Sequence, residues 1–121
     1  MTARFVEFGH LLTELRACFS EPGRAKDVIK PLVDVPVLVI DELGKGRGSE
    51  WELSVLDDLI SKRYNADRTT LLTTNYPLQR RVAYEGEESL NDRVGARIYS
   101  RIVEMCKPVR LVGADYRQTP S

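Results

Sequence analysis

Residues 35–46 read VPVLVIDELGKG. An apolar, mostly β-branched run from Val35 to Ile40 stops at two adjacent carboxylates, Asp41 and Glu42, and a glycine-rich basic turn follows. A run this short and this rich in β-branching reads as strand rather than buried helix. It is apolar on both alternating faces, the pattern of a central parallel strand covered by helices on each side. The strand then delivers its two acids to its carboxyl end, where open α/β sheets bind their ligands.

The flanking sequence supplies the rest of such a sheet. Ala3 to Phe8 alternates and reads as a short strand. Gly9 to Phe19 spaces Leu11, Leu12, Leu15, Cys18 and Phe19 as a helix does. Ser20-Glu21-Pro22-Gly23 breaks it. Ala25 to Val33 reads as a short helix that Pro31 weakens or ends. Glu50 to Tyr64 is amphipathic, with Ser49 and Glu52 at capping-box spacing. Thr69 to Thr74 is another strand, ending at Asn75. Residues 79–88 are polar and read as a mobile loop. Ser89 to Cys106 reads as one helix, and Pro108 to Gly113 as a last strand. The alternation predicts an α/β layer built on a parallel sheet.

Composition fits this reading. The chain has 121 residues, 42% apolar and 30% charged, enough for one core and one wet surface. Its formal net charge is zero, so any nucleic-acid contact must come from a local patch. Cys18 and Cys106 match no metal spacing and suit a reducing compartment as small buried side chains. No apolar run is long enough to cross a membrane and no signal peptide is visible, so the expected location is the cytoplasm.

Four apolar residues followed by Asp-Glu is the pattern of a Walker B motif. There the first acid helps hold Mg²⁺ and the second polarises the attacking water. Two solvated acids, or an Asp41 cap, would read the same. Asn75 ends the next strand, where an amide can orient that water, although Asn also commonly starts a turn before a residue such as Pro77. Arg93, Arg97 and Arg101 recur every four residues. They form either a solvated basic face or an interface that meets phosphate, for which the arginine fork is suited. His10 is the only histidine, which weakens a metal-dependent phosphohydrolase built on Asp41 and Glu42.

Taken in order, VLVIDELG, LLTTN, LNDRVGARIYSRIVEMC and the terminal ADYR resemble the AAA+ ATPases of the DnaC/IstB type, bacterial helicase loaders and transposition helpers. The resemblance runs from ARFVEF to Arg117. It implies a P-loop NTPase (AAA+) core with one partial domain over residues 1–121. It also implies ATP and Mg²⁺ as ligands, with Asp41 (reaching the metal through water) and Glu42 as Walker B acids and Asn75 as sensor I. Arg101 matches the arginine finger acting in trans on a neighbouring subunit, with Arg97 one turn before it, and Arg117 resembles a sensor II arginine. Like subunits, and a replicative helicase or transposase, are the implied partners. The two helices after the first strand match an insertion that faces single-stranded DNA in loaders. That makes Arg16, Phe19, Lys45 and Arg47 candidate contacts, since a basic turn beside an aromatic suits a single strand. The same residues also read as core (Phe19) and solvated charge.

One family element has no counterpart here. No G-x-x-x-x-G-K-[ST] loop occurs in the 121 residues, and GKGRGSE lacks its spacing. In the family's 5-1-4-3-2 sheet the P-loop strand and helix would stand before residue 1, with that strand lying between the last strand and Thr69–Thr74. The expectation is a truncated fold holding half of an ATP site, from a truncated frame or a longer loader. The alternative is a non-catalytic interaction module unable to bind ATP alone.

Overall fold

The computed structural model describes residues 2–45, 49–78 and 88–109. Strand β1 (Ala3–Glu7) runs directly into helix α1 (Phe8–Ala17), and α2 (Arg24–Asp34) leads to β2 (Val37–Asp41). Helix α3 (Glu50–Asn65) and β3 (Thr69–Leu72) follow, then α4 (Leu90–Val94) and α5 (Ala96–Met105). The three strands are parallel in the order β1-β2-β3, with Phe5 beside Val39 and Val39 beside Leu71. This is the α/β, parallel-sheet architecture that the alternation of elements predicts. Among the described residues no helix is long and apolar enough to cross a membrane.

The expected covering of β2 on both faces is corrected. Leu38 and Ile40 are fully buried among α1, α2, α3 and α5 residues such as Leu12, Leu32, Leu56, Leu59 and Ile98. Among the described residues no helix covers the other face, with Phe5 at 65% and Leu71 at 54% exposure. Crossovers between parallel strands are right-handed. Two successive crossovers stepping the same way across a sheet therefore lay their helices on the same face. Among the described residues β3 pairs only with β2.

Two helix expectations also change. Pro31 does not end α2, which continues to Asp34, and Val35 N–H still donates to the Pro31 carbonyl at 3.2 Å. The ring removes one backbone donor, and packing of Ile29 and Leu32 in the core holds the helix past it. The helix expected over 89–106 is two helices, broken at Gly95 with φ 92° and ψ 157°, a conformation essentially confined to glycine. Ser89 caps the first through a reciprocal box with Asp92. The apolar spacing carries across the break because Leu90, Val94, Ile98 and Ile102 are all buried.

A buried guanidinium locks the far end of the sheet. Arg63 of α3 is fully buried and has no carboxylate beside it among the described residues. It donates to the carbonyls of Leu32 and Val35 at 2.7 Å, Val33 at 3.1 Å and Thr69 at 2.7 Å, and to the Thr70 hydroxyl at 2.8 Å. It thus satisfies the last carbonyls of α2 and ties that helix to the start of β3. Burial pushes its pKa below the ordinary arginine value.

The strand expected over Pro108–Gly113, the residues 79–87 of the expected loop, Arg47 and Arg117 lie outside the described residues, save Pro108 and Val109, which are not in a strand.

Candidate acidic cleft at the carboxyl end of the sheet

The sheet register sets the two acids. Asp41 ends β2, with Glu7 of β1 beside it on one side and the chain leaving β3 on the other. The ladder continues past the strands, with Thr73 N–H donating to the Ile40 carbonyl at 3.0 Å and Leu43 N–H donating to the Thr73 carbonyl at 2.7 Å. Between these bonds the Thr73 hydroxyl donates to Asp41 Oδ1 and accepts from the Glu42 N–H at 2.9 Å. Glu42 sits at φ 57°, an uncommon conformation for a residue with a side chain. That kink turns the chain away from the strand direction immediately after Asp41.

The turn that follows is packed as well as bonded. Gly44 has φ 93°, and a Cβ there would stand 3.2 Å from the Tyr76 ring and 3.3 Å from Leu90, so both backbone and space require glycine. Arg93 Nε donates to the Gly44 carbonyl at 3.0 Å while the guanidinium lies 5.4 Å from the centre of the Tyr76 ring. Thr74 Oγ1 donates to the Leu43 carbonyl at 2.7 Å. The result is a cleft of about 200 Å³ lined by Glu42, Leu43, Lys45, Asn75 and Tyr76. Lys45 reaches across it to Glu42 at 3.2 Å, and that pairing raises the lysine pKa above its ordinary value.

The structure thus brings Asp41, Glu42, Asn75 and Lys45 to one end of the sheet. It does not bring the arginine row there as a row. Gly95 divides it: Arg93 serves the turn after the acids, whereas Arg97 pairs with Asp57 of α3 at 2.8 Å. Arg101 stacks 5.1 Å over the Tyr64 ring, and Tyr64 is itself pushed up in pKa by a hydrogen bond from its hydroxyl to Glu104. Neither Arg97 nor Arg101 lines the cleft. At the end of α1, Arg16 pairs with Glu52 at 3.1 Å, and Phe19, still 72% exposed, meets Trp51 edge-on at 5.5 Å. Both residues therefore join α1 to the first turn of α3.

Thr73, Thr74 and Tyr76 of the cleft's frame were not read from the sequence as site residues, and Arg93 was read only as one of the arginine row. Strand parity could have found Thr73, because in a parallel register it falls beside Asp41. Nothing in the spacing of Arg93 separates it from Arg97 and Arg101.

The donor set suits Mg²⁺. Among the described residues no three His, Cys, Asp or Glu side chains cluster to enclose a metal. Mg²⁺ does not need such a cage, since it keeps several waters and takes one or two carboxylates beside substrate phosphates. A half-buried Asp41 with one oxygen held by Thr73, next in sequence to the cleft-lining Glu42, fits that use.

Comparison with known proteins agrees with the architecture. The family model described as "IstB-like ATP binding protein" matches residues 1–121. Among solved structures, a DnaC helicase loader superposes with a TM-score of 0.65 at 33% identity, covering 85% of this chain and 57% of that one. A DNA replication initiation factor superposes with a TM-score of 0.68 at 15% identity, covering 84% of this chain and 28% of that one, a likeness of fold alone. The chain thus spans little more than half the length of the loader it resembles. A search of curated proteins gave no match. With its whole length matched by that model and its sheet order and cleft built as described, the chain belongs to the IstB-like ATP-binding protein family.

Proposed function

We propose that these residues form the hydrolytic half of an AAA+ ATP site of the helicase-loader type, serving DNA replication or transposition. The observation that carries this reading is the gathering of Asp41, at the end of β2, with Glu42 and Asn75, which line the cleft just past the ends of two adjacent parallel strands. In it Asp41 would hold Mg²⁺ through water, and the cation would neutralise charge on the phosphates. Glu42 accepts a proton from the attacking water, and the Asn75 amide orients that water. Lys45 must leave Glu42 before the carboxylate can do so. Residues 1–121 act as one partial AAA+ domain. Arg101 or Arg97 reaches the nucleotide of a neighbouring like subunit, and Arg117 senses the γ-phosphate. A replicative helicase or transposase is the partner acted upon. Single-stranded DNA runs past Arg16, Phe19, Lys45 and Arg47.

A second reading, a non-catalytic interaction module, is favoured by the Lys45–Glu42 pair and by the absence of a phosphate-cradling motif in these 121 residues. Equilibrium binding of a fluorescent ATP analogue with Mg²⁺ separates them. The 121-residue chain is expected to show no micromolar binding. Fused behind a strand and helix carrying G-x-x-x-x-G-K-[ST], it is expected to bind and hydrolyse. Glu42→Gln in that fusion should keep binding and lose about 100-fold or more in hydrolysis. Micromolar binding by the chain alone would refute the half-site. Unchanged hydrolysis in Glu42→Gln would remove Glu42 from the mechanism.

A further inference from the structure

Thr73 stands where the two acids can be held by one atom. A threonine hydroxyl has one proton to give and lone pairs to receive. Here the proton goes to Asp41 Oδ1 and a lone pair takes the Glu42 N–H at 2.9 Å, so both capacities face the acidic pair. The two bonds do different things. The first fixes the rotation of the Asp41 carboxylate and leaves Oδ2 without a hydrogen bond among the described residues. The second anchors the backbone of Glu42 in its left-handed conformation, φ 57°, which few residues other than glycine adopt unaided. Thr73 itself is tied to the β2 chain on either side of the acids, through its N–H to Ile40 and its carbonyl to Leu43 at 3.0 and 2.7 Å. Its hydroxyl is therefore held beside the acids by the backbone bonds that flank them. Any shift of β3 against β2 reaches Asp41, Glu42 and, two residues on, Asn75 together.

We propose that Thr73 is a positioning residue of this site, whose single hydroxyl aims the Asp41 carboxylate at a hydrated divalent cation and holds Glu42 in its kinked backbone. This rests on the reading of Asp41 as a cation-holding acid, and the test separates the two. Amide hydrogen exchange is followed at Glu42, with Leu59 of the core as the reference for an intact fold, in wild type, Thr73→Val and Thr73→Ser. Mn²⁺ binding is followed in parallel by electron paramagnetic resonance, with Asp41→Asn added. Valine keeps the shape and β-branching and removes only the hydroxyl, and serine restores it.

The Glu42 amide should exchange about tenfold or more faster in Thr73→Val, with Leu59 unchanged, and Thr73→Ser should stay within about threefold of wild type. Mn²⁺ binding should weaken about tenfold in Thr73→Val, recover in Thr73→Ser and disappear in Asp41→Asn. Equal Glu42 exchange in wild type and Thr73→Val would overturn the proposal, as would Mn²⁺ binding that depends on Asp41 but not on Thr73. Should valine disturb Leu59, Thr73→Ala is read against Thr73→Ser by the same criterion. Wild type and Asp41→Asn binding Mn²⁺ alike would overturn the cation reading of Asp41, and the exchange data would still decide whether Thr73 holds Glu42.

Discussion

Replacing Arg63 by methionine is expected to destabilise the protein by about 3–5 kcal/mol, because several buried acceptors lose their donor at once. Methionine fills much of the volume, so the loss comes from what the guanidinium leaves behind. The carbonyls of Leu32, Val35 and Thr69 and the hydroxyl of Thr70 lose a donor within a region that excludes water. Each such orphan costs about 1–3 kcal/mol when it stays dry. Water entering the gap would recover part of that, which is why the total is set below the sum. A domain has about 5–15 kcal/mol in all. Urea unfolding should therefore show a midpoint at a small fraction of the wild-type value. Arg63→Lys should recover less than half, because an ammonium offers a point charge and not a planar fork of five donors. A methionine variant within about 1 kcal/mol of wild type would mean that the carbonyls find other donors.

The second large effect is expected at Glu52. This carboxylate is 3% exposed in the first turn of α3. Its Oε1 accepts the Ser49 N–H at 3.0 Å in the capping box, and its Oε2 faces Arg16 at 3.1 Å without a hydrogen bond of good geometry. Glu52→Ala removes both and leaves a cavity beside the core, for an expected loss of about 2–3 kcal/mol. Arg16→Met should cost about 1–3 kcal/mol, because it strands a buried charge. The double variant should cost less than the sum, and a thermodynamic cycle from urea unfolding measures the coupling. Additive losses would show that the pair contributes nothing. This outcome also conditions any DNA-binding experiment on Arg16, since a loss of binding must be separated from a loosened α1.

Sequence made the local features legible. The β-branched run ending in Asp41 and the Ser49–Glu52 box depend on neighbours a few residues away, and both stand where the pattern puts them, the strand shifted to Val37–Asp41. Gly95 was misread because apolar spacing continues through it, and spacing does not report φ. Arg63 was illegible for a different reason. In SKRYN it looks like any solvated residue near a helix end, and only the approach of α2's carbonyls makes burial favourable. Asp41, Glu42 and Asn75 were legible as candidates because strand ends are. The tether shared by Asp41 and Glu42 was not, because Thr73 reads as one of four threonines in TTLLTT until the β2–β3 register sets it beside Asp41.

The one-sided sheet has a thermodynamic consequence. Phe5 and Leu71 remain wet in the folded state, with Val37 and Val39 only half-buried, so unfolding exposes less new apolar surface than the length of the chain suggests. The heat-capacity increment and the denaturant slope both scale with that newly exposed surface. Calorimetry on this chain should return a per-residue increment below the usual ~12–15 cal/mol/K. Its stability should then vary with temperature along a shallower dome, broad in width and low in curvature, with cold and heat unfolding pushed further apart for the same maximum.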